Sequence, residues 1–398
     1  MTVSAPFTPT SSPNGDPRVL ARIFALTDVG RSREHNEDTF LVADLESGER
    51  LGFDAEAQDV AAPAHGLLFL VADGMGGAAS GEIASGMASD VVLDVLREEW
   101  QMLDHPTAEA FASALRDATV AANSRIHAYA RLHPEHRGMG TTATVAGLFG
   151  NTVYVAQVGD SRAYLLRDGQ AKQLTKDQSL MQRLVEAGEM TQEQAEASDR
   201  RNIILQALGP DPQVTIDLTH QRLRRGDTLI LCSDGLSGLV RVDEIARIAA
   251  ESPNVGTLCH RLIDRANELG GPDNITVVAA TFDGGLLAHE DGDDAVGYNT
   301  YPLAGTLNHD TAEAPLPPTM FDDAASGDPT VRLGTQAPSA GPLQEEFARA
   351  RAAEDEAILG APEDVVEARR RKVEPVYFIL VMIAIAAAMW LLVRLLRK

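Results

Sequence analysis

Cysteine is nearly absent. Cys232 and Cys259 are the only two in 398 residues, too few for a disulfide framework or a four-ligand zinc site, and in keeping with a reducing compartment. Positive charge is scarce as well: 34 Lys plus Arg stand against 58 Asp plus Glu, a formal net charge of -24. Such a surface repels phosphate backbones, so nucleic acid is not an expected partner. The opening stretch, Met1 to Asp16, has neither the basic start nor the apolar block of a secretion signal; the chain is expected to begin in the cytosol. Long apolar runs are missing too, with one exception near the end. Val376 to Val393 reads VYFILVMIAIAAAMWLLV, flanked by Arg369, Arg370, Arg371 and Lys372 on one side and Arg394, Arg397 and Lys398 on the other. As a helix it is about 27 Å long, close to a bilayer core. A single C-terminal span is expected, with the bulk of the chain cytoplasmic. The near basic cluster agrees with the positive-inside tendency, and the basic tail opposes it.

What is present is a globular texture. Hydrophobic residues make up 44% of the chain, enough for a sizeable core. Residues 1–20 read as a disordered N-terminus, 21–283 as one folded domain, and 373–396 as the span with a short basic tail. Between them, 284–372 reads as an acidic, Pro-rich linker, partly helical near its end, because its composition buries too little apolar surface to offset ordering entropy. Within the domain, IFALTDV, DTFLVADL, GLLFLVAD, TATVAGLF, VYVAQVGD, RAYLL, DTLILCSD and NITVVAATF predict strands. Gly150-Asn151 and Asp168-Gly169 mark hairpins. Helical spacing predicts helices over Ser80–Trp100, Ala108–Leu132 and Val255–Leu269. Strands in runs and helices in pairs favour an antiparallel α+β fold over a doubly wound parallel sheet.

Aspartates sit where apolar runs end. Asp73-Gly74 closes one, Asp234-Gly235 another, and Asp273-Asn274 and Glu37-Asp38 each precede one. A carboxylate held by rigid backbone at a sheet rim suits hard, oxygen-seeking cations such as Mg²⁺ or Mn²⁺. Arg33, four residues before Glu37, offers a guanidinium fork that matches a phosphate. Taken singly, each Asp-Gly is an ordinary turn signal; their recurrence at strand ends is what points to a site.

The motifs TDVGRSREHNED, VADGMGG, GMGTTATV, VGDSRAYLLRDG, LTKDQSL, LILCSDGL and GPDNITVV stand in this order between about Phe24 and Phe282. In this the chain resembles the metal-dependent protein serine/threonine phosphatases of the PPM (type 2C) class in their bacterial form. The resemblance implies a central sandwich of two antiparallel β-sheets flanked by helical pairs, with two Mn²⁺ or Mg²⁺ ions at one end. It implies that Asp73 bridges the metals and Gly74 offers its carbonyl, that Asp234 and Asp273 complete the first metal's ligands, and that Glu37 and Asp38 hold the second directly or through water. It further implies that Arg33 binds substrate phosphate, that Asp160 and Asp234 hold a weaker third metal, and that a flap lies within Leu174–Asn202. Phosphoserine and phosphothreonine proteins are the implied substrates, with a cognate Ser/Thr kinase as the opposing enzyme.

Met75 departs from the pattern, since some members carry histidine there as a proposed general acid; His35 is the nearest histidine to the site in sequence. Two other readings compete. Cys259 and Arg265 have the Cys-x5-Arg spacing of cysteine-dependent phosphatases, although no glycine lies between them to form a phosphate loop. A membrane-tethered binding module with the phosphatase fold but no catalysis is the alternative from a different class.

Overall fold

A computed structural model of the chain describes residues 17–303, apart from 55, 104–105, 197, 199, 201 and 288–294. The expected membrane span lies outside the described residues, as does most of the linker. Among the described residues no helix is long and apolar enough to cross a membrane.

In chain order the strands are β1 (Val19–Asp28), β2 (Asp38–Asp44), β3 (Gln58–Ala61), β4 (Leu67–Met75), β5 (Gly140–Thr141), β6 (Ala143–Phe149), β7 (Thr152–Val158), β8 (Arg162–Arg167), β9 (Gln170–Gln173), β10 (Asp217–Arg222), β11 (Thr228–Cys232) and β12 (Ile275–Gly284). The helices are α1 (Ala78–Gln101), α2 (Ala108–Leu132), α3 (Leu180–Glu186), α4 (Gln192–Glu196), α5 (Asp234–Ser237), α6 (Val242–Ala250) and α7 (Val255–Glu268). One sheet runs β3-β1-β12-β11-β8-β9 and the other β10-β7-β6-β4-β2, with β5 paired to β4. Every neighbouring pair is antiparallel.

Period-two alternation divides the side chains into layers. On β4, Leu67, Phe69 and Val71 pack between the sheets with Val278, Ala280 and Phe282 of β12. The intervening Leu68, Leu70 and Ala72 pack outward against α1 and α2, while Ile275, Val277 and Ala279 of β12 pack outward against α6 and α7. With both faces covered, the central strands are continuous apolar runs, the pattern that made them readable. The expected sandwich with helices on both outer faces is thus the observed one. Local chemistry sets its boundaries. The Thr107 hydroxyl caps α2 by accepting from the Ala110 N–H at 3.2 Å. Asp168 (φ 52°) and Gly169 (φ 73°) form the tight turn between β8 and β9. Trp100, fully buried, locks the α1–α2 layer: its ring lies 4.9 Å from Phe111 and 5.0 Å from Phe149, and its Nε1 donates to the His65 carbonyl at 2.8 Å.

Packing runs on past Asp283, where the sequence was assigned to linker. Leu287 is buried between the sheets and Leu303 against the α1–α2 layer. The acidic composition averages over a few apolar and aromatic residues that are enough to dock this first part.

Candidate metal centre at one rim of the sandwich

Both sheets deliver carboxylates to the same rim. Asp38 opens β2, Asp73 lies near the end of β4, and the register sets their Cα atoms opposite one another, a placement with Cβ atoms about 4.5–5.5 Å apart. From the other sheet come Asp234, which starts α5 just after β11, and Asp273, just before β12. Asp160 falls in the β7–β8 connection and Arg33 and Glu37 in the β1–β2 connection, both of which cross between the sheets.

Polar side chains tie this rim together. Asp38 Oδ2 accepts from Ser233 Oγ at 2.7 Å and Thr276 Oγ1 at 2.6 Å, two donors from the opposite sheet. Asn274 accepts the Glu37 N–H at 2.8 Å and donates to the carbonyls of Val29 at 3.0 Å and His35 at 2.9 Å, which fixes the loop that carries Arg33. The Asp73 N–H donates to Thr142 Oγ1 at 2.9 Å, and its carbonyl accepts from Thr141 Oγ1 at 2.9 Å. Gly74 is required by close approach: a Cβ there would collide with the carbonyl oxygens of Gly81 and Glu37.

The cost of this crowding appears in the acidities. Burial pushes Asp73 well above the ordinary carboxylate range, and the charges of Asp38, Asp234, Asp160 and Asp273 push it further. Asp73 still keeps part of its surface open to solvent, so it is desolvated by its surroundings yet reachable. Burial raises Asp38 to about 7, against the hydrogen bonds from Thr276 and Ser233, with Asp234 and Asp273 adding to the rise. Asp160 is raised by burial and then by Asp234 and Asp177, with Arg162 opposing. Burial raises Glu37, and Arg33 opposes. Strand register and the hydrogen bonds that cross the rim, Asp38 to Ser233 and Thr276, Asp73 to Thr142 and Thr142 to Ser161, place the predicted aspartates 38, 73, 160, 234 and 273 at one end of the sandwich.

Hard cations fit this donor set. Asp38 Oδ1 and Asp160 Oδ1 are buried oxygens with no hydrogen-bond partner, set among like-charged carboxylates. Among the described residues no three such side chains close tightly enough to cage an ion unaided. The fit therefore rests on the orphaned oxygens and the shared field, as suits ions that retain several waters. Arg33 stands at the mouth. Its side chain is 49% exposed, and its Nη2 lies 2.8 Å from Asp273 Oδ2, which holds the guanidinium near the acids while leaving donors free for a ligand.

The remaining residues singled out in the sequence lie as follows. Met75 pairs with Gly140 at the start of β5 and has no proton to give. The His35 side chain is exposed. The flap segment contains α3 and α4. The Cys259 reading fails: the thiol is buried on α7, pushed by burial up to about 12, and Arg265 is engaged with Glu244 and Glu268. No thiolate nucleophile forms there. Ser233, Asn274, Thr276 and Thr142 carry no role legible in the sequence: the first three are signalled only by their nearness to the acids in the SDG and DNIT motifs, and Thr142 only by its place in GMGTTATV.

Residues 54–264 match the family model described as Protein phosphatase 2C, a span that includes Asp73, Asp160 and Asp234 but not Arg33, Glu37, Asp38 or Asp273. Over 257 residues the chain is 36% identical to the serine/threonine phosphatase stp of Listeria monocytogenes, covering 65% of this chain and 94% of that one. Over 312 residues it is 36% identical to the serine/threonine protein phosphatase PstP of Mycobacterium tuberculosis, covering 77% of this chain and 52% of that one. A crystal structure of the catalytic domain of PstP in complex with two manganese ions matches the fold with a TM-score of 0.53 at 37% identity, covering 66% of this chain and 99% of that one.

Proposed function

The chain belongs to the protein phosphatase 2C family, and from that premise we propose that it hydrolyses phosphoserine and phosphothreonine in proteins, with a pair of divalent cations at the aspartate rim, on the cytoplasmic face of a membrane. It is a metal-dependent protein serine/threonine phosphatase whose cofactor is Mn²⁺ or Mg²⁺. The observation that carries the proposal is the convergence of Asp38, Asp73, Asp160, Asp234 and Asp273, each from a different connection or strand end, at one rim of the sandwich beside an accessible arginine.

Asp73, Gly74, Asp234 and Asp273 would hold one cation, Asp73 with Glu37 and Asp38 the other, and Asp160 with Asp234 a weaker third. When bound, the cations supply the positive charge that makes water acidic enough to attack phosphorus near neutral pH and that stabilises the transferred phosphoryl group. The protein's own part is placement. Ser233 and Thr276 engage one oxygen of Asp38 and leave the other, buried and without a hydrogen-bond partner, as the one that would serve a cation. Thr141 and Thr142 hold the backbone of Asp73. Arg33, held near the acids by Asp273, presents its outer donors to the phosphate, where a guanidinium makes two parallel bonds.

Arg33→Ala is expected to lower kcat/KM on a phosphothreonine peptide by about 10- to 100-fold, the worth of a charge-assisted pair, and Arg33→Lys to recover only part, since an ammonium is not a fork. Steady-state kinetics with Mn²⁺ check this, and an unchanged kcat/KM for Arg33→Ala would remove the arginine from the site.

Membrane attachment rests on the uncharged run Val376–Val393 and its basic flanks. Deleting Pro375–Lys398 is expected to move the protein from the membrane fraction to the soluble fraction without altering peptide kinetics. Continued sedimentation of the truncated chain with membranes would overturn the anchor. The tether would hold the enzyme near membrane-bound kinases and their substrates.

A further inference from the structure

β10 is the outer strand of its sheet, and an outer strand presents a row of backbone groups with no partner in the sheet. The segment 295–303 covers it. The His220 N–H donates to the Asn299 carbonyl at 2.9 Å and the Tyr301 N–H to the Leu218 carbonyl at 2.8 Å, with Thr219 and Thr300 forming an antiparallel bridge. Asn299 Nδ2 donates to Gln221 Oε1 at 3.1 Å. The Tyr301 ring stands edge-on to Tyr154 at 5.3 Å and His220 at 5.1 Å.

One residue of this strap also reaches the other way. The Tyr298 hydroxyl donates to Asp217 Oδ1 at 2.8 Å, which fixes the ring, and Lys176 Nζ lies 4.6 Å from the ring centroid. The same ammonium lies 3.2 Å from Glu186 Oε1 at the end of α3. Lys176 is thus held between a ring on the strap and a carboxylate on the flap. Its neighbours lead to the rim. Asp177 pairs with Arg162 at 2.6 Å, and the Gln178 N–H donates to the Gly159 carbonyl at 2.8 Å, next to Asp160. Tyr298 also walls a cavity of about 660 Å³ between α3, α4, β9 and the start of α6, the space into which a protein substrate's flanking residues would extend beside the flap.

We propose that Tyr298 is a positioning residue: through Lys176 it sets the seating of α3, so that the segment leading out of the catalytic domain governs how the flap admits protein substrates. The proposal rests on the phosphatase reading of the rim and adds a control point remote from it. A small aryl phosphate needs only the rim, whereas a phosphoprotein must also fit under the flap.

The test uses the full chain with Mn²⁺. Tyr298→Leu removes both the ring face and the hydroxyl, Tyr298→Phe keeps the ring, and Lys176→Gln removes the cation. Tyr298→Leu and Lys176→Gln are expected to raise KM for a phosphothreonine protein about three- to tenfold, the fold-change that the loss of a cation–π contact corresponds to. Both are expected to leave p-nitrophenyl phosphate kinetics within about twofold. Tyr298→Phe should recover most of the loss, and the double variant Tyr298→Leu/Lys176→Gln should be no worse than either single one. Amide hydrogen exchange over residues 180–186 should quicken in Tyr298→Leu while that of β6 and α2 stays unchanged. Equal effects on both substrates, or quickened exchange throughout the domain, would mean that Tyr298 is merely structural. If the wild-type chain turns over neither substrate, the phosphatase reading fails, and the exchange of 180–186 alone then decides whether the strap seats the flap.

Discussion

Asp73→Asn will lower kcat on a phosphothreonine peptide by at least about 10³-fold, some 4 kcal/mol of transition-state stabilisation, while the domain stays folded. The Asp73 side chain is the one on which Asp38, Asp160, Asp234 and Asp273 all act. An amide has nearly the same shape but no charge to share with cations. The backbone at 73 is held independently of the side chain by Thr141 and Thr142, so the loss should not come from misfolding. In the presence of a chelator the variant should melt above the wild type, because it removes a desolvated like charge. Peptide kinetics and calorimetric Tm values with EDTA check both halves. Activity within tenfold of the wild type would show that Asp73 holds no essential ion.

The metal-free wild type will lose stability as pH rises, and added Mn²⁺ will restore it. Asp38 binds its proton more tightly in the folded state, at about 7, than at its ordinary value of 3.8. The folded chain therefore carries more protons than the unfolded one between those limits, and its stability falls as pH climbs through them. Asp73 and Asp160 are raised as well and act in the same direction. A cation takes the place of these protons, so the gain in Tm from Mn²⁺ should be larger at pH 8 than at pH 5. At an ion concentration about 100 times Kd, that gain corresponds to about 2.7 kcal/mol. Asp38→Asn keeps an oxygen for Ser233 and Thr276 and removes the titrating group; its metal-free Tm should vary less with pH. A wild-type Tm that rises between pH 5 and pH 8 in EDTA would contradict the electrostatics of the rim.

The parts of this fold that announce themselves in sequence are those whose physics is local. The helix predicted over Ala108–Leu132 has those same bounds in the structure, because a threonine cap and apolar spacing specify it without reference to the rest of the chain. The central apolar strands β4, β6, β7 and β12 were legible because they are buried on both faces. β9 (QAKQ) and β10 (DLTHQR) were not: they are polar, and only pairing with β8 and β7 makes them strands. The same division holds at the rim. Acids at the ends of apolar runs could be seen, whereas Ser233 and Thr276 serve Asp38 from 195 and 238 residues away, a relation that only the fold creates. Composition likewise assigned 295–303 to free linker, since three anchors, Tyr298, Tyr301 and Leu303, weigh little among acids and prolines.

The proposed chemistry depends on one pair of ions that Asp73 would share. Anomalous diffraction at the manganese edge, from crystals of the Mn²⁺-loaded chain, tests this most directly. The account predicts two strong peaks about 3.5–4 Å apart, both contacting Asp73, with Asp234 and Asp273 on one side and Glu37 and Asp38 on the other. A single peak, or ions bound elsewhere while the rim aspartates remain metal-free, would contradict it.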